Sequence, residues 1–389
     1  MKKIEITDTI EYIGVDDKTI ELFENQYSVP NGISYNSYLI KDEKNVVMDT
    51  VDKRQTNQWI ENLEKALDGQ TVDYLVVSHM EPDHAYNIQT LVEMYPDMKL
   101  IGNEKTFAMI SQFFSIENLE EKKIVVKEEE KINIGKHTLQ FFMAPMVHWP
   151  EVMMTYEKSE KILFSADAFG KFGRLDKEEN WEKEARRYYF NIVGKYGMQV
   201  QAILKKIAPF EMEMICPLHG PILNEKLEYY LEKYNTWSRY KPEKEGIVIA
   251  YASIYGNTQK VAEELWSLLK EKGMKKVLLK DLVKENRSEV LSDVFCYSTL
   301  VLASSSYNAG LFPPMEHFLN ELVGKNYQNR TIGIIENGTW APSAAKSIKE
   351  KIEQMKNITL CDTVVTIRST MKEQDRVTLE KLAEELIQK

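Results

Sequence analysis

The chain has 389 residues, of which 43% are hydrophobic and 28% charged, and its formal net charge is -10 at pH 7. This length suggests two or three domains, and the composition is that of a globular protein with enough apolar residues for its cores. The negative charge argues against nucleic acid or an anionic membrane as the main partner. Residues 1–8 lack the apolar core of a signal peptide, and no apolar run is long enough to cross a bilayer.

The three cysteines, Cys216, Cys296 and Cys361, are isolated in the sequence and form no Cys-x-x-Cys pair. They therefore encode neither a disulfide framework nor a cysteine-ligated iron centre, and we expect small, buried, free side chains. Together with the missing signal peptide, this cysteine usage predicts a reducing cytoplasm as the location.

Strands predominate in the first part of the chain, with helices between them. The predicted strands cover residues 35–40, 46–48, 74–77, 98–102, 138–142, 152–156, 161–164 and 212–215, and the predicted helices 55–67, 178–207 and 226–237. This order favours an α/β sandwich of two sheets covered by helices.

A charged segment with a proline and a glycine, residues 241–246, has the composition of a linker. It predicts a first domain of residues 1–245 and a second of residues 246–389. In the second domain five strands alternate with five helices. The strands are predicted at 247–252, 276–281, 299–303, 331–335 and 358–367, and the helices at 259–271, 287–295, 314–322, 344–355 and 372–388. Such alternation predicts a doubly wound, five-stranded parallel sheet.

Four side chains of metal-ligand type follow the predicted strand 74–77. In an extended backbone alternate side chains share a face, so His79 and Glu81 can reach one metal ion. Pro82 then turns the chain, and Asp83 and His84 can face a second ion. A solvated acidic turn with two incidental histidines is the alternative, although the chain has only six histidines.

Three more ligand-type residues follow predicted strands: His148, Asp167 and His219. Each alone could be a structural histidine or a helix-capping aspartate. Loops at strand ends can converge where the core stops, so the three and the first cluster together predict one site of seven ligands.

In the second domain three loops lie at the carboxyl ends of strands, where doubly wound sheets bind ligands. The first, residues 253–258, lacks both the lysine of a Walker loop and the Gly-x-Gly-x-x-Gly pattern. Its backbone N–H groups and its Ser, Asn and Thr side chains can still hold a phosphate at a helix N-terminus. In the loops 304–311 and 336–342, Tyr307 and Trp340 offer aromatic surfaces for a flat ring, although either could be ordinary loop packing.

The loop from His79 to His84, followed by a later His, Asp and His, resembles the metallo-β-lactamase superfamily, which implies an αββα sandwich. Glu81 stands where the zinc hydrolases of that superfamily usually carry histidine. A mixed His/carboxylate set suits iron or manganese as well as zinc. The second domain resembles flavodoxin, which implies bound FMN. Both domains in this order, with Glu81, are similar to the flavodiiron proteins (A-type flavoproteins), and the resemblance covers nearly the whole chain.

The resemblance implies a role for each ligand and a set of contacts to FMN. One iron would take His79, Glu81 and His148, the other Asp83, His84 and His219, and Asp167 would bridge them. The FMN contacts would come from Ser253, Ile254, Tyr255, Gly256, Asn257, Thr258, Ser305, Ser306, Tyr307, Asn308, Ala309, Gly310, Asn337, Gly338, Thr339 and Trp340. Tyr196 is a candidate hydrogen-bond donor near the irons and equally an ordinary packing tyrosine. His137 and His317 match no motif position, so we expect both to be structural.

The implied reaction is reduction of dioxygen to water, of nitric oxide to nitrous oxide, or of both, by FMN and two non-haem iron ions. Because no rubredoxin-type cysteine pairs are present, the electrons would come from an external donor such as rubredoxin or a flavin- or NADH-dependent reductase. The resemblance also implies a head-to-tail homodimer or a dimer of dimers. Two alternatives stay open: a zinc hydrolase fused to a flavodoxin, and an electron-carrier or gas-sensing module with a vestigial metal site.

Overall fold

A computed structural model describes Ile4 and residues 6–388 of the chain. Residues 1–3 and 5, on which part of the signal-peptide expectation falls, lie outside the described residues, as does residue 389. The chain divides into two units, Met1–Asn235 and Thr236–Lys389. This division precedes the boundary at 245/246 that the linker composition predicts, and the domain limits stay a prediction. No helix among the described residues is long and apolar enough to cross a membrane.

Two sheets face each other in the first unit. Its strands are β1 (Ile10–Tyr12), β2 (Val15–Asp17), β3 (Leu22–Phe23), β4 (Tyr27–Ser28), β5 (Ile33–Tyr35), β6 (Tyr38–Ile40), β7 (Val46–Met48), β8 (Tyr74–Val76), β9 (Lys99–Gly102), β10 (Lys123–Val125), β11 (Lys131–Asn133), β12 (Thr138–Met143), β13 (Met153–Glu157), β14 (Ile162–Phe164) and β15 (Met214–Cys216). One sheet has the order β1-β6-β7-β8-β9-β10 and the other β11-β12-β13-β14-β15. The pairs β2-β5 and β3-β4 stand apart from both.

Helices cover the sheets of the first unit. They are α1 (Thr56–Leu67), α2 (Pro82–Ala85), α3 (Ile88–Met94), α4 (Glu104–Phe113), α5 (Leu119–Lys122), α6 (Trp181–Tyr188) and α7 (Gly197–Ile207). The next helix, α8 (Leu227–Ser238), begins in the first unit and ends in the second. The helix expected over 178–207 is interrupted, since a π-helical turn at Tyr189–Val193 and a 3-10 turn at Gly194–Tyr196 separate α6 from α7. Gly194 and Gly197 lie at this interruption, where glycine's low helix propensity weakens a continuous helix.

The alternation of side chains along each strand builds two cores in the first unit. Tyr38 and Ile40 of β6 pack with Phe141 of the second sheet, so one core fills the space between the sheets. Leu39, between them in sequence, points the other way and packs with Trp59 of α1. Successive strand residues face opposite sides, and this places the apolar residues of one strand in both cores. The result is the αββα sandwich that the resemblance implied.

The second unit is the predicted doubly wound sheet. Its strands are β16 (Lys244–Ala252), β17 (Val277–Asp281), β18 (Tyr297–Tyr307), β19 (Gly310–Leu311), β20 (Gln328–Asn337) and β21 (Lys356–Ile367). Its helices are α9 (Asn257–Glu271), α10 (Arg287–Cys296), α11 (Pro313–Gly324), α12 (Ala344–Ile352) and α13 (Glu373–Gln388). Five parallel strands run in the order β17-β16-β18-β20-β21, and the short β19 pairs with the end of β18. The chain reverses its winding direction beside β16, and a ligand site is expected at the carboxyl end of that strand.

Candidate metal centre and flavin cleft

The seven ligand-type side chains predicted from the sequence come together in the first unit. They form two groups, and the candidate ligand atoms within each group lie within 4.8 Å of one another. One group is His79, Glu81, His148 and Asp167, and the other is Asp83, His84 and His219. Six of the seven residues are buried, and the Glu81 side chain is only 12% exposed.

Strand ends and one short helix place these side chains. His79 follows β8, Asp167 follows β14 and His219 follows β15, each just beyond the buried part of its strand. Pro82 begins α2, whose single turn carries Asp83 and His84. Proline is suited to this first helical position because its missing N–H would have no partner there.

Asp167 belongs to the first group and also faces the second. Its Oδ2 is 3.1 Å from Nε2 of His148 in one group, and its Oδ1 is 3.3 Å from Nε2 of His84 in the other. One carboxylate thus turns an oxygen to each group, which is the arrangement that a bridging ligand requires.

The polar atoms of this centre are placed to bind cations rather than to form hydrogen bonds with one another. Both carboxylate oxygens of Asp83, and Oδ1 of Asp167, are buried without a hydrogen bond of acceptable geometry among the described residues. The Nε2 atoms of His84 and His219 are only 3.0 Å apart. Buried polar atoms are normally paired, and two divalent ions held by imidazole and carboxylate ligands would satisfy all of these atoms.

Charge inside the centre keeps the Asp167 carboxylate ionised. Burial alone would raise the pKa of the Asp167 carboxyl, but the imidazoles of His148 and His84 hold that pKa well below its ordinary value. Burial likewise opposes the charged form of His79, whereas Glu151 and Glu81 raise the pKa of its imidazole well above the ordinary value. Ionised carboxylates are the form in which these residues bind metal.

Two carboxylates that the sequence analysis missed hold the first ligand loop. Oε1 of Glu151 is 2.8 Å from Nδ1 of His79 and accepts the backbone N–H of Met80 at 2.8 Å. Oδ1 of Asp49 accepts the backbone N–H of Ser78 at 2.7 Å. Such outer contacts fix which nitrogen of a histidine faces a metal. Glu151 lies three residues after His148, and this spacing was the only signal in the sequence.

Tyr188 is a further residue that the sequence analysis missed. Its ring centroid is 5.6 Å from that of His219, and its buried hydroxyl has no hydrogen-bond partner among the described residues. Burial and the charge of Asp167 raise the pKa of this hydroxyl well above its ordinary value, so it stays protonated. The predicted donor, Tyr196, is half-buried at the end of the 3-10 turn, with Nζ of Lys195 5.9 Å from its ring centroid. The role of Tyr196 stays a prediction.

A cavity of about 480 Å³ opens beside the metal centre. Two candidate ligands, Glu81 and Asp83, form part of its wall. Apolar side chains of the β3 region, including Leu22 and Phe23, form another part. The cavity therefore lies directly beside two of the candidate ligands.

The second unit has a cleft of about 560 Å³ at the carboxyl ends of its strands. Its lining is Ser253, Ile254, Tyr255, Asn257, Thr258, Ser305, Ser306, Tyr307, Asn308, Ala309, Asn337, Gly338, Thr339, Trp340, Ala341 and Ser369. The volume is in the range of small-molecule and cofactor sites. Two predicted contacts, Gly256 and Gly310, do not line the cleft, whereas Ala341 and Ser369 were not predicted.

The turn between β16 and α9 has the features of a phosphate loop. Oγ of Ser253 accepts the backbone N–H of Gly256 at 3.1 Å, and Gly256 has φ +86°. Glycine adopts this left-handed conformation without strain. The hydroxyl oxygens of Thr258 and Ser305 are 2.8 Å apart and join the first loop to the second. The loop leads into the N-terminus of α9, where backbone N–H groups attract anions.

Three aromatic side chains that line the same cleft are exposed to solvent. Tyr255 is 93% exposed, Trp340 is 87% exposed and Tyr307 is 45% exposed. Asn337 fixes the third loop, since its Nδ2 donates to the Ser369 carbonyl at 2.9 Å and its Oδ1 accepts the Ser369 N–H at 3.1 Å. Polar loops with free aromatic faces fit a phosphorylated cofactor with a flat ring such as FMN.

Comparisons with known proteins agree with both halves of the chain. The family model described as "ODP family beta lactamase" matches residues 33–220, and the model described as "Flavodoxin" matches residues 249–381. An anaerobic nitric oxide reductase flavorubredoxin of Vibrio vulnificus is 30% identical over 90% of this chain and 72% of that protein.

Two solved structures extend the likeness over the whole length. The rubredoxin oxygen:oxidoreductase of Desulfovibrio gigas has a TM-score of 0.92 and 26% identity, covering 100% of this chain and 98% of that one. A flavo di-iron protein variant from Thermotoga maritima has a TM-score of 0.88 and 25% identity, covering 100% and 97%.

The fold and the two sites define a two-domain oxidoreductase that joins a lactamase-like metal domain to a flavodoxin-like domain. This chain belongs to the flavodiiron protein family. Its cofactors are FMN and a non-haem diiron centre, which agrees with the cleft and the paired ligand groups described above.

Proposed function

We propose that this chain reduces dioxygen to water, nitric oxide to nitrous oxide, or both, at two iron ions. In this proposal His79, Glu81 and His148 hold one ion, Asp83, His84 and His219 hold the other, and Asp167 bridges them. The observation that carries the proposal is the position of Asp167, whose two oxygens face different histidine groups at 3.1 and 3.3 Å. The two gases are the ones named for the relatives from Vibrio and Desulfovibrio.

When bound, the diiron centre supplies electrons and open coordination positions, and FMN renews those electrons. The chain's own residues supply the setting for that chemistry. The cavity beside Glu81 and Asp83 has the volume for a small molecule, and its wall combines the apolar Leu22 and Phe23 with charged side chains. The Tyr188 ring packs beside that of His219, and its protonated hydroxyl can donate a hydrogen bond toward negative charge that develops at the centre.

The FMN contacts are also a proposal. We assign the phosphate to the loop from Ser253 to Thr258 and the ring to the loops that carry Tyr307 and Trp340. The hydrogen bond between Thr258 and Ser305 and the exposed aromatic faces support this assignment. The FMN affinity of the Thr258→Val variant tests this assignment.

We propose that the electrons come from an external donor, such as rubredoxin or a flavin- or NADH-dependent reductase, and that the chain forms a head-to-tail homodimer. The name of the Desulfovibrio relative, rubredoxin oxygen:oxidoreductase, supports a rubredoxin-type donor. A cytoplasmic location stays a prediction.

Anaerobic reduction followed by separate exposure to each gas tests the reaction. Protein purified without oxygen is assayed for iron and FMN, reduced, and mixed with dioxygen or nitric oxide while gas loss and flavin reoxidation are followed. We expect about two irons and one FMN per chain, and rapid reoxidation by at least one gas. Zinc in place of iron, or a reduced flavin that neither gas reoxidises, would refute the proposal.

A further inference from the structure

The wall of the cavity beside the metal centre carries a tyrosine and an arginine that the proposed ligand set does not use. Tyr35, at the end of β5, is buried, and both Tyr35 and Arg54 line the cavity together with Glu81 and Asp83. The Tyr35 ring packs edge-on against the rings of His84 and His219, at centroid distances of 6.5 and 5.9 Å. The phenol therefore lies next to the metal centre.

Two acidic side chains fix the Arg54 guanidinium. Its Nε lies 3.0 Å from Oδ1 of Asp52 and 3.2 Å from Oδ2 of the fully buried Asp17. Asp17 is itself anchored, because its Oδ1 accepts the N–H and the hydroxyl of Thr19, both at 2.8 Å. A guanidinium held by two carboxylates keeps its orientation, unlike a free surface arginine.

The fixed guanidinium leaves the hydroxyl proton of Tyr35 available. Nη2 of Arg54 donates to the Tyr35 oxygen at 2.9 Å. Arginine has no acceptor atom, so Tyr35 can only accept in this contact and must place its own proton elsewhere. No acceptor for that proton is found in the part of the chain that the structure describes. A phenol hydroxyl has an ordinary pKa of about 10, so Tyr35 carries its proton at neutral pH.

We propose that Tyr35 donates a hydrogen bond to the small ligand or substrate that occupies this cavity, and that Arg54 is the positioning residue that turns the Tyr35 proton toward it. The ligand class is a small, electron-rich molecule or anion that binds at the metal centre. This inference rests on the proposed function for its substrate but concerns residues outside the ligand set.

Azide binding to the oxidised holoprotein tests the donor directly, because this small anion binds ferric iron and produces a new absorption band. We expect Tyr35→Phe, which keeps the ring packing, to raise the azide dissociation constant about 10-fold. The matched control is Tyr156→Phe. The Tyr156 hydroxyl donates to the Glu211 carbonyl at 2.6 Å and does not line the cavity. Equal azide affinities for the two variants would overturn the role of Tyr35.

A double-mutant cycle tests the positioning role of Arg54. We expect Arg54→Met to weaken azide binding in the wild-type background more than in Tyr35→Phe, where only the loss of its charge should remain, because Arg54 acts mainly through the hydroxyl. Lys53→Met, which removes one positive charge from the same cavity wall, should have the same effect in both backgrounds. Equal effects of Arg54→Met in both backgrounds would overturn the coupling.

A second variant and a second assay separate the role of Tyr35 from a folding defect and from a failure of the proposed reaction. If Arg54→Met does not fold around the unpaired Asp17, Arg54→Lys replaces it, since lysine keeps the charge but lacks the guanidinium fork. Gas reduction is measured alongside, and we expect Tyr35→Phe to lower kcat more than it raises KM. If the wild type reduces neither gas, the proposed function fails, whereas the azide titrations still decide the role of Tyr35.

Discussion

Oε1 of Glu151 lies 2.8 Å from Nδ1 of His79, and both side chains are fully buried. The contact leaves Nε2 of His79 as the nitrogen that faces Glu81 and Asp167. We expect Glu151→Ala to lower iron affinity about 10- to 100-fold, because the imidazole loses the partner that fixes its orientation. Iron retained per chain after dialysis against a chelator measures the effect.

Glu157 provides the control for the loss of a buried carboxylate. It lies on β13 of the same unit and accepts the backbone N–H groups of Ser159 and Glu160 at 2.8 and 2.7 Å. Glu157→Ala should lower stability but leave the iron content of the folded protein unchanged. Equal iron loss from both variants would mean that Glu151 acts only on the fold.

Substitution of His148 tests the metal centre with a histidine control. Because Nε2 of His148 is 3.1 Å from both Glu81 and Asp167, His148→Asn should lower gas-driven flavin reoxidation by about 100-fold or more. His317, which contacts Arg287 at 3.3 Å in the second unit, belongs to neither ligand group. His317→Asn should therefore reoxidise at the wild-type rate. Wild-type activity in His148→Asn would exclude His148 as a ligand.

Substitution of Thr258 tests whether the loop from Ser253 to Thr258 binds the FMN phosphate. Thr258→Val keeps the side-chain shape and removes the hydroxyl that lies 2.8 Å from Ser305. A lost hydrogen bond to a charged group costs about 1.5–3 kcal/mol, so FMN affinity should fall about 10- to 150-fold. Titration of FMN into deflavinated protein, followed by flavin fluorescence, gives the affinity.

Thr363→Val is the matched change outside the cleft, since the Thr363 hydroxyl bonds to Glu385 and the residue does not line the cleft. It should bind FMN as the wild type does. An unchanged affinity in Thr258→Val would place the phosphate elsewhere.

Asp42 and His137 form a buried pair that gives the first unit a pH-dependent stability. Oδ2 of Asp42 lies 2.7 Å from both the backbone nitrogen and Nδ1 of His137. Burial raises the pKa of Asp42, but the hydrogen bonds from His137 and from the Lys136 backbone outweigh it and lower that pKa to about 2. A depressed carboxyl pKa stabilises the folded state above the unfolded-state pKa, and this contribution is lost as the pH falls toward 2.

We therefore expect Asp42→Asn to unfold at lower urea concentration than wild type at pH 7. The difference between the urea midpoints of the wild type and the variant should narrow as the pH falls from 4 to 2. Asp97→Asn, an exposed change, should show no such difference at any pH. A difference that widens on acidification would contradict the assignment. The contacts of His137 agree with the structural role expected for it from the sequence.

The sequence predicted the candidate ligand residues because their chemistry coincides with a local signal, the end of an apolar strand. His79, Asp167 and His219 each follow such a run, and the fold then brings these ends together. The same logic predicted Ser253, which follows β16, and Asn337, which is the last residue of β20, and both line the cleft. Position along a strand is a property that one chain segment carries by itself.

Residues that act across the fold left no comparable signal. Glu151 reaches His79 over 72 positions, and Arg54 reaches Tyr35 over 19, and nothing in the local pattern links either pair. The two-residue strand β3 was also missed, because a period of two cannot be recognised in so few positions. The helix α4 was overlooked although Asn103 caps it, accepting the N–H groups of Lys105 and Thr106 at 3.0 and 3.1 Å.

In the proposed ligand set a single carboxylate, that of Asp167, serves both histidine groups, so the two ions would not be independent. Removal of one ion would leave one Asp167 oxygen without its positive partner and change the charge that the other ion experiences. Iron uptake should therefore be cooperative, with few half-filled chains at any iron concentration. The redox potentials of the two irons would be linked in the same way, since each oxidation is felt through the shared side chain.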